Sequence, residues 1–164
     1  MSKATLTSIN KPHTDNIFTD EPSRKKTVEW RTKPLPKGLH YVYETKNKGG
    51  CGKVIGEMTI VENIKYADVS AIPHEMILKG RVGARKLDIY ANGRPLYANV
   101  IVNAKRYDKP KELGEFKVKC KEQKHGECLL SSCGLNEPYF HTCAEGGYKP
   151  LNRPPQSCCF VESL

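Results

Sequence analysis

Apolar and polar residues alternate with period two over several stretches of the chain, as expected of strands with one buried face. The pattern predicts strands over Ala4–Ile9, about Lys25–Lys33, His40–Thr45, Lys53–Glu62, Leu96–Arg106 and Ser157–Val161. Pro34 and Pro36 end the second of these, and Lys46–Gly52 reads as a hairpin-like loop before the fourth. Residues 12–20 predict a short helix with Ile17 and Phe18 facing inward. Residues 68–80 predict another, in which Asp68 or Ser70 caps, Ile72, Met76 and Ile77 share a face, Pro73 lies near the first turn and Gly80 ends the helix. A weaker helical pattern covers Ala84–Tyr90, and Tyr107–Lys111 reads as a turn. Strands outnumber helices in the order β-α-β-β-β-α-β-β. That order predicts an α+β fold: a small mixed sheet or partly closed barrel with short flanking helices.

The predicted strand at Lys25–Lys33 stands apart from the others. From Lys26 it alternates strictly, which would turn Lys26, Val28 and Trp30 to one face and Thr27, Glu29 and Arg31 to the other. Charged groups on both faces make it either a solvated edge or the wall of a polar site, because an unpaired buried charge is costly.

Composition narrows the partners. The 164 residues suit one domain with its own core. Lys and Arg number 27 against 18 Asp and Glu, a net charge of +9, and a small domain this basic is suited to a polyanion. No stretch approaches the ~20 apolar residues of a membrane span. The opening residues lack an apolar leader core, which places the protein in the cytoplasm, away from membranes. There, seven cysteines point to metal binding or free thiols rather than disulfides.

The spacing Arg24-x-Lys26-x-x-Glu29-x-Arg31, set between a strand–helix unit and the strands HYVYET and GKVIGEMTI, resembles the Gly-x-Lys-x-x-Glu-x-Arg signature of the ASCH domain family. The segments RPLYANVIVNAKRYDKPKELGEF and RPPQSCCFVESL are similar to the phage and prophage branch of that family, so the resemblance spans most of the chain. It implies a PUA-like mixed β-barrel with flanking short helices over residues 1–164 and a cleft for RNA or nucleotides beside the motif. Arg24 stands where the signature has glycine, and Cys158 where that branch usually has tryptophan.

Lys26, Glu29 and Arg31 admit three uses. They can form a structural ion-pair network; they can bind a phosphate or base, with Arg31 as a fork donor and Lys26 as a point charge; or Lys26 can act as base or nucleophile while Glu29 shuttles a proton. The resemblance extends to ribonucleases and to small acetylcytidine amidohydrolases. The amidohydrolase subgroup uses a Lys, a Thr three residues later and a Glu on a later strand. Lys26 matches the first and Glu57 the third, whereas Glu29 occupies the threonine position. Lys46, Lys48 and Lys53 in the Gly-rich loop and Arg106 near the 105–111 turn would supply a basic rim. Gly49-Gly50-Cys51-Gly52-Lys53 lacks the spacing of a phosphate loop and leads into a strand. Tyr41, Tyr43, Tyr97, Tyr107 and Trp30 would stack bases or fill the core.

Cys120-x7-Cys128-x4-Cys133-x9-Cys143 lies in a polar, turn-rich insertion over about residues 118–146. Four thiolates can close a structural zinc site that replaces missing apolar burial, with His125 or His141 able to stand in for one of them. Similar phage-type ASCH proteins carry a cysteine-rich insertion here. The expected function is RNA or nucleotide binding by a phage or prophage regulator or accessory protein. The alternatives are an ASCH-type hydrolase, either ribonuclease or amidohydrolase, with Lys26, Glu29 and Glu57 catalytic, and an inhibitor of a host defence system that docks on an acidic protein.

Overall fold

The computed structural model describes residues 3–119, 123–124, 127–128 and 148–164. In chain order its elements are β1 (Lys3–Ile9), α1 (Lys11–Ile17), β2 (Val28–Arg31), β3 (Gly38–Glu44), β4 (Lys53–Tyr66), α2 (His74–Gly80), α3 (Ala84–Ala91), β5 (Leu96–Lys111), β6 (Lys117–Lys119), β7 (Gln123–Lys124), β8 (Glu127–Cys128), β9 (Tyr148–Pro150) and β10 (Cys158–Glu162). Six strands form one sheet in the order β10-β1-β3-β4-β5-β2. β1 and β3 run parallel, joined through α1 and β2, and every other pair in this sheet is antiparallel. This is the mixed α+β architecture that the element order predicts.

The sheet is curled. The β4–β5 ladder shifts register at three places, between Val54 and Gly56, Glu57 and Thr59, and Ile60 and Glu62, and Asn103 of β5 takes a φ of 52°. Each extra residue bends its strand and increases local twist. The result brings edge strand β2 round towards the opposite edge: Arg31 Nη2 donates to the Ser8 carbonyl of β1 at 2.8 Å.

Apolar residues fill three regions around this curl. Ile9, Ile17, Phe18, Val42, Ile55, Met58 and Ile60 pack under α1. Val28 and Trp30 pack against Ile72, against Met76 of α2 and against Leu87 of α3. Leu6, Tyr41, Val54, Phe116 and Val161 cover the other face of β1, β3 and β4. Gly80 lets α2 approach Trp30, because a Cβ there would lie 1.9 Å from the indole Nε1.

Three elements depart from the sequence expectation. The helix expected over 68–80 is split: Asp68 caps a short 3-10 turn at Val69–Ala71, Ile72 is extended, and Pro73 is the N-cap of α2. A residue before proline avoids the helical region, which accounts for the break. The turn expected at Tyr107–Lys111 is instead the end of β5. β2 pairs with β5 only as far as Val100, so Pro110 lies on a free edge where its missing N–H breaks no ladder. The strand expected over Lys25–Lys33 is only Val28–Arg31, with consequences for the site. Cys158 packs against the region under α1 and Cys159 against the opposite one, as alternation along β10 requires.

Candidate nucleic-acid interface

β2 is held in place by polar contacts as well as by its apolar face. The buried Asn99 of β5 donates through Nδ2 to the Glu29 carbonyl at 2.8 Å. Its Oδ1 accepts from the Leu35 amide at 2.8 Å and from Asn63 Nδ2 at 2.7 Å. With Val28 and Trp30 turned into the core, Glu29 and Arg31 face the other way.

Lys26 precedes the strand, so alternation does not assign its face. Its amide donates to the Asn16 carbonyl at the end of α1, and the Thr27 amide to the Lys79 carbonyl of α2. That path turns the Lys26 side chain to the Glu29 side, a correction to the expected opposition of Lys26 and Glu29. Lys26 Nζ lies 2.9 Å from Glu29 Oε2, and Arg31 Nε donates to Glu29 Oε1 at 3.0 Å. The Lys26–Glu29 contact is a buried ion pair, with 1% and 6% of the two side chains exposed. Arg24, where glycine was expected, has no positive φ and pairs loosely with Glu21.

The electrostatics follow from this packing. Burial alone would push the Glu29 carboxyl up, but the charges of Lys26 and Arg31 hold it at about 2. His13 of α1 lies beside Lys26, with Nδ1 3.2 Å from Nζ. Burial and the neighbouring ammonium push the His13 pKa below its usual value. The ring is therefore neutral at pH 7 and accepts at Nδ1 from Lys26, leaving the second nitrogen as the protonated one.

These residues line a cleft of about 900 Å³ between α1, the Asn47–Gly49 turn, β2 and the α2–α3 corner. Among the described residues six cations reach it, namely Lys26, Arg31, Lys48, Arg81, Arg85 and Lys86, against the single carboxylate of Glu29. Buried Glu44 braces the wall, accepting from Thr14 of α1 at 2.6 Å and from the Cys51 amide at 2.9 Å. It thereby ties the helix that carries His13 to the loop that carries Lys48. Lys48 and Arg81 both sit in the left-handed region, with φ of 55° and 53°.

The structure brings together Lys26, Glu29, Arg31 and Lys48 of the residues singled out in the sequence. Lys53 is instead paired with Glu112, Lys46 is exposed beside Gly52, and Arg106 is exposed on β5 opposite Gly56. None of the three lines the cleft. Glu57 lies on the far face of β4 from Met58, where it accepts from Tyr107 at 2.8 Å; burial and that carboxylate push the Tyr107 hydroxyl pKa up. Cys120, Cys133 and Cys143, with His125 and His141, lie outside the described residues, as does the Cys128 side chain. His13, Arg81, Arg85 and Lys86 were not singled out by sequence. The only local signal was the clustering of Arg81, Arg85 and Lys86 around two short helices.

No protein-family model matches the sequence, and no curated protein sequence matches it. Solved structures do. An ASCH protein from Zymomonas mobilis superposes with a TM-score of 0.55 at 21% identity, covering 67% of this chain and 73% of that one. The chain has the ASCH fold. A serine-to-alanine variant of the Zymomonas protein matches with a TM-score of 0.54 at 20% identity, covering 67% of this chain and 74% of that one. A tyrosine-to-phenylalanine variant gives 0.54 at 19% identity, covering 67% and 76%. Within this ASCH fold, the Lys26–Glu29–Arg31 cluster sits at the curl where β2 meets β1. Among the described residues no helix is long and apolar enough to cross a membrane.

Proposed function

We propose that the cleft binds RNA or nucleotides through their phosphates. The carrying observation is its charge: among the described residues six cations line it, and the one carboxylate, Glu29, is buried and already neutralised by two of them. A phosphate entering the cleft meets a surplus of ammonium and guanidinium donors and, among the described residues, no exposed anion. In this reading the protein is a regulator or accessory factor of phage or prophage type, with a structural zinc held by Cys120, Cys128, Cys133 and Cys143.

Hydrolysis is less well supported by the geometry. A carboxyl held near 2 has no proton to give near neutral pH, and Glu57 is on the other sheet face from the cleft. Docking on an acidic protein would use the same cations but need no enclosed cleft.

The test is binding of a short labelled RNA as salt is raised. Log affinity should fall linearly with log salt, and Lys48→Ala and Arg31→Ala should each weaken binding. Affinity that is indifferent to salt, or unchanged from the unmodified protein in both variants, rejects the proposal.

A further inference from the structure

We infer that the corner between α2 and α3 forms a second nucleotide subsite of the cleft, so that the ligand is a single strand of RNA at least two nucleotides long. This rests on the reading of the cleft as an RNA or nucleotide site. Five of the six cations divide by the company they keep. Lys26 and Arg31 are committed inward: they share Glu29, and they bond to His13 and to the Ser8 carbonyl. Arg81, Arg85 and Lys86 are exposed, and none has an ion-pair partner among the described residues. The one described hydrogen bond of the Arg81 guanidinium is from Nε to the Lys25 carbonyl at 3.3 Å.

Arg81 is the C-cap of α2 and takes the left-handed backbone usual at a helix end, with φ of 53°; Arg85 and Lys86 are the two placed unfavourably without an anion. Arg85 and Lys86 fall in the first turn of α3, which contains no acidic residue, where the helix field disfavours cations. A phosphate placed among them relieves the mutual repulsion.

Beside this cluster is an aromatic ring. Tyr90 lies one turn beyond Lys86 on α3, lines the cleft, and is 43% exposed. Trp30 also borders the cleft but is only 4% exposed and packed in the core, so Tyr90 offers the free face. A base can stack on it only when unpaired. A monophosphate brings one phosphate to two groups of cations, Lys26–Arg31 and Arg81–Arg85–Lys86, whereas a dinucleotide step brings a phosphate for each and a base for Tyr90.

The experiment compares fluorescein-labelled pentauridylate, read by anisotropy, with uridine monophosphate, read by competition. The proteins are the unmodified chain, Tyr90→Ala, and the double variant Arg81→Gly with Arg85→Gln. All changes are at exposed positions, and thermal melts verify the fold. Tyr90→Ala should weaken pentauridylate at least about fivefold. The double variant should reduce the slope of log affinity against log salt by about 1.4, or ~0.7 for each lost phosphate contact. Uridine monophosphate, with one phosphate to place, should lose a smaller factor than pentauridylate in each. If the monophosphate loses affinity in the same proportion, or pentauridylate binds no more tightly than it, the second subsite is overturned while the cleft remains a nucleotide site. If neither probe binds the unmodified chain, the nucleotide reading fails and the subsite with it.

Discussion

Arg31 of β2 donates to the Ser8 carbonyl of β1 at 2.8 Å, although three strands separate β2 from β1 in the order of the sheet. The same guanidinium donates through Nε to Glu29. One side chain therefore closes the curl and holds half of the buried carboxylate that organises the cleft. The candidate site is thus coupled to the shape of the sheet, and substitutions there should be felt in stability as well as in binding.

Glu29→Gln should destabilise the fold by about 3–5 kcal/mol, because Lys26, with 1% of its side chain exposed, loses its counter-charge. Urea unfolding measures it, and a midpoint within error of the unmodified protein would refute the pair's structural role. Acid should produce part of the same loss. The Glu29 carboxyl is depressed from 4.5 to about 2 on folding, so its contribution is complete above 4.5 and disappears as pH falls through about 2.

Two histidines add a milder pH dependence nearer neutrality. His40 is fully buried, with Nδ1 accepting from Thr7 at 2.7 Å and Nε2 donating to the Pro36 carbonyl at 2.7 Å. Burial pushes its pKa down despite that carbonyl, and pushes His13 down as well. The unfolded chain binds protons first, so stability is complete above the ordinary value of 6.5 and declines as pH falls below it. Proton NMR of the imidazoles should give midpoints below 6.5 for both. An ordinary or raised midpoint for either contradicts the packing described.

Gly80→Ala should cost about 1–3 kcal/mol, since its methyl would sit 1.9 Å from Trp30 Nε1 and 2.5 Å from Cδ1. Gly114→Ala is the control: it has open space around the new methyl and no positive φ. Equal melting temperatures for the two variants would show that α2 does not rest on the indole.

Lys48→Gly and Arg81→Gly should each leave stability unchanged or raise it by up to about 1 kcal/mol, as relief of the left-handed backbone slightly exceeds the added freedom of the unfolded chain. Both should weaken RNA binding. A clear loss of stability in either would mean that contacts of the side chain outweigh the relief of the backbone.

Elemental analysis of purified protein should find about one equivalent of zinc, the number one four-ligand site holds. Cys128→Ser should lower it sharply. Protein that stays metal-free when purified without chelator and then offered zinc would reject the site.

Much of this was legible in the chain. Alternation located the six strands of the main sheet, because a half-buried strand needs a period of two and the apolar residues here keep it. The spacing of Lys26, Glu29 and Arg31 marked the candidate site. What alternation could not give was where β2 begins. Lys26 lies before the first ladder pair, so its side chain follows the hydrogen bond of its amide to Asn16 rather than the pleat. The other cleft wall was equally hidden. Arg81, Arg85 and Lys86 stand more than 50 residues from Lys26, and only the packing of α2 and α3 on Val28 and Trp30 brings them to it. Conversely, Glu57, which the resemblance to amidohydrolases groups with Lys26, is separated from it by the sheet itself. Sequence fixes local period and chemical type, which depend on neighbours along the chain. Proximity across the cleft depends on the curl of β4 and β5 and on which face each side chain leaves, and those are properties of the whole fold.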